Sequence, residues 1–187
     1  PELRRFESMP EVECAAVDRE QAKRVWGDAK AMGEKSEKIS DCLDIKKTLI
    51  RNKKTGGWLR PLSKDTKNKD SGAPCLVIVD EYHAHTSSEI VDVLKSGFGK
   101  RFQSLMVIIS TAGKDAENNP CKKEYDYAMK VMNGEIINEN YFAAIRELEE
   151  GDDPANPGCW VKANPILQHE NAYSVNLLKE IKEDYTR

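Results

Sequence analysis

The chain has 187 residues, 39% hydrophobic and 33% charged, with a formal net charge of −3. That length and composition support one sizeable core and exclude a disordered chain, and the net negative charge excludes a coat that binds nucleic acid by overall basicity, though not a local basic face. No apolar run reaches the ~18–20 residues needed to span a bilayer, and PELRRFESMPE at the start lacks the apolar stretch of a secretory signal. Five cysteines, at 14, 42, 75, 121 and 159, are odd in number, widely spaced and without a CxxC pair, which argues against a disulfide framework or zinc site and for a reducing compartment.

In chain order, VECAAVD (12–18) is short, apolar and partly β-branched, and predicts a buried strand that includes Cys14, with Asp18 capping the helix after it. REQAKRVWGDAKAM (19–32) spaces Ala22, Val25, Trp26 and Ala29 along one helical face, with Gly33 as a stop. Residues 48–63 predict two strands around the turn sequence Lys53-Lys54-Thr55-Gly56-Gly57, and 64–74 a polar loop. CLVIVD (75–80) is continuously apolar, as a strand covered on both faces reads. SSEIVDVLKSGFGKR (87–101) predicts a helix opened by a serine cap, and SLMVIISTAG (104–113) a second apolar strand ending in a small polar turn. CKKEYDYAMKVMNGE (121–135) predicts a helix and NYFAAIREL (140–148) a last strand. GDDPANPGCWVKANP (151–165), with Pro154, Pro157 and Pro165, reads as a linker, and 174–187 as the start of a helix. Strands alternating with helices predict an α/β fold with a mainly parallel sheet.

Ligands of an open α/β sheet sit beyond the carboxyl ends of its strands. Asp80 and Glu81 fall at one such end and Ser110-Thr111-Ala112-Gly113 at another. Nucleotide hydrolysis accounts for two adjacent acids. Mg²⁺ takes hard carboxylate oxygens, which suits Asp80, while Glu81 would orient the water that attacks the γ-phosphate of ATP. The Thr111 hydroxyl would sense that phosphate. A blander alternative has Asp80 capping the next turn and Glu81 in solvent. His83 and His85 come just after the acids and could mimic a metal cluster with them, but no distant ligand is evident and a packing role in the loop fits better.

Taken together, VECAAVDREQAKRVWGDAKAM, GAPCLVIVDEYHAH, SLMVIISTAG and YFAAIRELEEGDDPANPGCWVKANPIL resemble, in order and spacing over nearly the whole chain, the large terminase subunit of tailed bacteriophages. The resemblance implies a three-layer P-loop NTPase-like (ASCE) sheet in which Asp80 is the Walker B acid, Glu81 the catalytic glutamate, and Ser110, Thr111 and Gly113 the motif coupling hydrolysis to movement. It also implies a motor that uses ATP and Mg²⁺ to pump double-stranded DNA into a procapsid. That motor would be a homo-oligomeric ring, with portal protein and small terminase subunit as partners, in the cytoplasm of a bacterial host. Residues 1–150 would be part of the motor domain, and 151–187 the linker toward a nuclease domain whose acids lie beyond residue 187.

No GxxxxGK[ST] occurs in the chain; GEKSEK (33–38) and GFGKR (97–101) lack its glycine spacing. By resemblance the phosphate loop would precede Pro1, making this the central part of the protein and inactive by itself. Arg101 could reach a neighbouring subunit's nucleotide or pair with an acid of its own chain; both stay open. Arg51, Lys53, Lys54, Arg60, Lys64, Lys67 and Lys69 cluster near the hairpin, but interspersed Asp65 and Asp70 favour a solvated surface over a DNA contact. Two rival readings are a helicase-like P-loop ATPase, which the WVKANP segment opposes, and a degenerate ATPase fold kept as a binding or assembly module.

Overall fold

The computed structural model describes residues 9–17, 19–62, 72–113 and 118–185. The chain divides into two compact units, Pro1–Met129 and Lys130–Arg187.

The first unit is built on a six-stranded sheet. Its strands are β1 (Glu11–Ala15), β2 (Leu43–Ile45), β3 (Ile50–Asn52), β4 (Trp58–Pro61), β5 (Leu76–Val79) and β6 (Leu105–Ile108), in spatial order β2-β3-β4-β1-β5-β6. β4, β1, β5 and β6 run parallel, and β2 and β3 pair antiparallel at the other side. The helices are α1 (Arg19–Lys35), α2 (Glu89–Ser96) and α3 (Pro120–Met132), with the unit boundary inside α3.

Register explains why the parallel strands β5 and β6 are apolar throughout. Glu13, Val77 and Met106 stand side by side, as do Ala15, Val79 and Ile108. The second row and Val77 form the core with Leu62, Tyr82, and Val91 and Leu94 of α2, against which Ile90, Phe98 and Cys121 pack. Each fully buried valine contributes roughly 1.5–3 kcal/mol. The alternate residues Val12, Cys14, Leu76 and Ile78 point to the opposite face, as do Leu59, Ile50 and Ile45. There α1 lies across the strands, with Gly33 against Leu43 and Ile45 and with Ala22 and Trp26 buried. Helices on both faces of one sheet make three layers.

One charge is built into this sheet. Glu13 is buried, and its carboxylate accepts a 2.7 Å ion-paired hydrogen bond from Arg60 Nη2 on the neighbouring strand position. The Arg60 guanidinium also lies over the Trp58 ring at 4.2 Å.

In the second unit, residues 141–149 form no regular element, then come α4 (Trp160–Ala163) and α5 (Ala172–Tyr185). Asn171 and Ser174 cap α5 reciprocally: Asn171 Oδ1 accepts the Ser174 N–H at 3.0 Å, and Ser174 Oγ accepts the Asn171 N–H at 3.2 Å. Trp160 is buried, with the Tyr185 ring 6.4 Å away.

Four sequence expectations need correction or addition. Residues 140–148 pair with no strand among the described residues, because a β-prone pattern makes a ladder only where a neighbour supplies partners. Gly33 does not stop α1 but sits inside it, where Leu43 Cδ1 lies 2.8 Å from the position a Cβ would take. Ser88 precedes α2, yet its hydroxyl bonds Asp92 at 2.7 Å instead of capping the backbone. Strand β2 was not anticipated, since three residues are too few to show a period. The cap assigned to Asp18 lies outside the described residues.

The hairpin's entry depends on one glycine. A Cβ at Gly57 would fall 2.5 Å from the Pro10 ring and 2.7 Å from its carbonyl oxygen, which accepts the Trp58 N–H at 2.9 Å. Gly57→Ala is therefore expected to destabilise the chain by about 1–3 kcal/mol, read by urea unfolding. Gly99→Ala, with nothing within 4 Å of its Cβ position, should be close to neutral; equal effects of the two would refute the steric argument.

Candidate functional site

Parallel pairing delivers the carboxyl ends of β1, β5 and β6 to one rim. The ladder continues past the strands: Asp80 N–H donates to Ala15 O at 2.9 Å and Ile109 N–H to Val79 O at 2.8 Å. The chain then reverses sharply at Glu81, whose φ of 51° and ψ of 48° are left-handed. The reversal aims the Tyr82 N–H at Ile109 O, 3.2 Å away, and buries the Tyr82 ring in the core. Burial first, with Glu124, Asp92 and Cys121 adding, pushes the Tyr82 hydroxyl up to about 12, so it stays protonated. A left-handed non-glycine residue costs roughly 1–2 kcal/mol, and such strain concentrates at working sites.

The two acids diverge from this corner. Asp80 continues the row of Leu76 and Ile78, and its Oδ1 accepts the Glu81 N–H at 3.0 Å. Its charge lies near Cys14, whose thiol is pushed up to about 11, chiefly by burial and then by Asp80 and Glu13. Cys14 is thus an inert core residue. The Glu81 carboxylate is about one-third exposed and lies 3.2 Å from His83 Nδ1.

Ser110 and Thr111 meet the same imidazole. Ser110 Oγ and Thr111 Oγ1 are each 3.3 Å from His83 Nδ1, and Ser110 Oγ accepts the His83 backbone N–H at 3.0 Å. Gly113 lets the turn come this close: a Cβ there would lie 2.7 Å from His83 Cβ. Asn119 completes the group, donating from Nδ2 to His83 O at 3.1 Å. Thus Glu81, Ser110, Thr111 and Gly113 are brought together, and His83, read from sequence as loop packing, sits between them. The only sequence signal for it was its place two residues after Glu81. Asn119 gave none.

The remaining candidates lie elsewhere. Arg101 donates from Nε to Ala73 O at 2.6 Å and from Nη2 to Met9 O at 3.0 Å, with Glu11 Oε1 3.4 Å away. Met9 and Ala73 precede β1 and β5 and Glu11 opens β1, so these partners lie at the amino ends of the strands and opposite the acids. His85 is buried beside the Tyr82 ring with its Nε2 unpartnered, and burial lowers its basicity. Among the described residues, no three His, Cys, Asp or Glu side chains form a metal-holding group. The five cysteines are free thiols. In the basic cluster Arg60 is committed to Glu13, Lys53 donates to Asp41 O at 3.0 Å, and Lys64, Lys67 and Lys69 lie outside the described residues.

The WVKANP segment is a local clasp in the second unit. Lys162 Nζ binds Asp152 Oδ1 at 2.9 Å and Glu149 Oε2 at 2.6 Å, and the Trp160 indole N–H donates to Pro154 O at 2.8 Å. The Lys162 hydrogen bond, then the Glu149 backbone N–H, holds the Asp152 carboxyl below its usual range, and the two carboxylates raise the Lys162 ammonium above its own.

The fold is an α/β sheet that carries adjacent acids at one strand end and a hydroxyl-bearing turn at the next. A family model described as the terminase large subunit, ATPase domain, matches residues 5–130, and the chain belongs to that family. Protein YmfN of Escherichia coli (strain K12) is 34% identical over 121 residues, covering 65% of this chain and 26% of that protein. The crystal structure of the HK97 bacteriophage large terminase shares the fold, with a TM-score of 0.78 and 18% identity over 98% of this chain and 38% of that one. The chain therefore spans well under half the length of either relative. The three-layer P-loop NTPase-like expectation holds for the fold.

Two outcomes are expected from this geometry. Because position 81 is left-handed, Glu81→Gly should be more stable than Glu81→Ala by about 1 kcal/mol, measured by denaturant unfolding; the reverse order would remove the claim of strain. For the clasp, Asp152 has a depressed folded-state pKa. Its stabilisation is present above the unfolded-state carboxylate value and lost as pH falls through the lower folded one. Lys162 is raised, so its share is present below the ordinary lysine value and lost only as pH climbs through the higher folded one. The Trp160 indole resonance should therefore hold constant from about pH 5 to 10, moving on the acid side below about pH 4 and on the alkaline side only above the ordinary lysine value; a transition near neutrality would contradict the assignment.

Proposed function

We propose that this chain is part of the ATP-hydrolysing motor of a phage large terminase subunit that translocates double-stranded DNA into a procapsid. The observation carrying the reading is the convergence of Glu81 with Ser110 and Thr111 beside Asp80, at adjoining strand ends of a chain from this family. Residues 1–150 belong to the motor and 151–187 to the crossing toward a nuclease domain. In the assembled motor the partners are DNA, portal protein, small terminase subunit and further copies of the subunit in a ring, in the host cytoplasm. No helix among the described residues is long and apolar enough to cross a membrane.

The donor set suits Mg²⁺ with ATP. Asp80 offers hard oxygens, one of them already accepting the Glu81 N–H, which suits an ion that keeps its waters and leans on substrate phosphates. When bound, the ion neutralises charge on the β- and γ-phosphates. Asp80 would hold it, Glu81 would orient the attacking water, and Thr111 would touch the terminal phosphate and pass its loss to β6. Arg101 acts as a stabilising residue, since its guanidinium ties the amino ends of the strands together. The strain at Glu81 favours this reading over a binding module, which would have no use for a carboxylate on a left-handed backbone.

The test is ATP turnover by the full-length protein that carries this chain. Glu81→Gln should lower kcat by roughly 10²–10⁴-fold, and the 187-residue chain, which has no GxxxxGK[ST], should turn over none. Wild-type turnover unchanged by Glu81→Gln, or Glu81-dependent turnover by the chain alone, would overturn the assignment.

A further inference from the structure

We propose that His83 is a positioning residue for hydrolysis, whose Nδ1–H alternates between the Glu81 carboxylate and the Thr111 hydroxyl. The inference rests on the hydrolytic reading above and adds a residue to it.

Donors and acceptors can be counted around the ring. Nδ1 lies 3.2 Å from Glu81 Oε2 and 3.3 Å from both Ser110 Oγ and Thr111 Oγ1. An ionised carboxylate only accepts, so a hydrogen bond across the 3.2 Å between His83 and Glu81 requires the proton to be on Nδ1. One N–H cannot serve three acceptors at full strength. Ser110 is already occupied: it donates to Thr111 O at 2.9 Å and accepts from the His83 backbone N–H at 3.0 Å and from Cys121 Sγ at 3.4 Å. Thr111 Oγ1 is therefore the competing acceptor.

The frame around the imidazole is held by several contacts besides that to Thr111. The His83 N–H is held by Ser110, its carbonyl by Asn119 at 3.1 Å, and Gly113 closes on its Cβ. Asn119 Oδ1 in turn accepts the Cys121 N–H at 2.8 Å, tying the loop to the start of α3. With Nδ1–H directed at Glu81, the carboxylate is turned to the imidazole and away from a water. With Nδ1–H directed at Thr111 Oγ1, the carboxylate is released. Movement of Thr111 at the end of β6 thereby sets when Glu81 can act, through one shared hydrogen.

The test uses the full-length protein and two substitutions that separate the ring nitrogens. Asn places an amide N–H near Nδ1, whereas Gln places it near Nε2. His83→Ala and His83→Gln should each lower kcat by roughly 10- to 100-fold with little change in KM for ATP, and His83→Asn should recover most of the loss. His83→Ala at wild-type kcat, or folded His83→Asn as slow as His83→Ala, would overturn the proposal. Where a variant fails to fold, the wild type decides: ¹⁵N shifts of the neutral His83 ring should report the Nδ1–H tautomer, and Nε2–H would refute it. The two readings fail differently. If Glu81→Gln abolishes turnover while His83→Ala does not, only the role of His83 falls; if the wild type has no ATPase, both fall.

Discussion

The rim on which everything else depends is made by parallel pairing plus one reversal of the chain. Parallel strands put β1, β5 and β6 in the same direction, so their last residues share an edge whether or not they share a task. The corner at Glu81 turns that edge into a site. Burying the Tyr82 ring is worth roughly 2–3 kcal/mol, more than the ~1–2 kcal/mol of left-handed backbone needed to reach it. The core therefore holds the acid in a conformation it would not choose.

Charge is used differently in the two units. Glu13 and Arg60 are joined inside the sheet, where removing one partner strands the other and costs about 3–5 kcal/mol. The Lys162 clasp sits at the surface, where water screens it and its net contribution is small. Its effect is on shape: it gathers Glu149, Asp152 and the Trp160 loop into one turn. The first pair sets register between β1 and β4, and the second sets the path of a proline-rich segment.

Much of this was legible in the sequence where a long pattern carried it. The apolar runs of β5 and β6, the helical spacing of α1 and α2, and the glycine-bearing hairpin each repeat a signal over several residues. The acids were legible because two like charges at the end of a buried run need a reason. Where the sequence misled, the deciding partner was distant. Nothing near Gly33 announces that Leu43 will press against it, and nothing in NYFAAIREL says whether a neighbouring strand exists. The role of His83 is hidden because its meaning comes from Ser110 and Thr111, some thirty positions away. Arg60 looked like surface charge because its partner, Glu13, lies on another strand.

The left-handed backbone at position 81 also has an evolutionary side. Glycine, asparagine and aspartate all relax that corner, and each removes or shortens the carboxylate reach. Substitution toward those residues is therefore favoured by the backbone alone. Glutamate at this position is held against the preference of its own backbone.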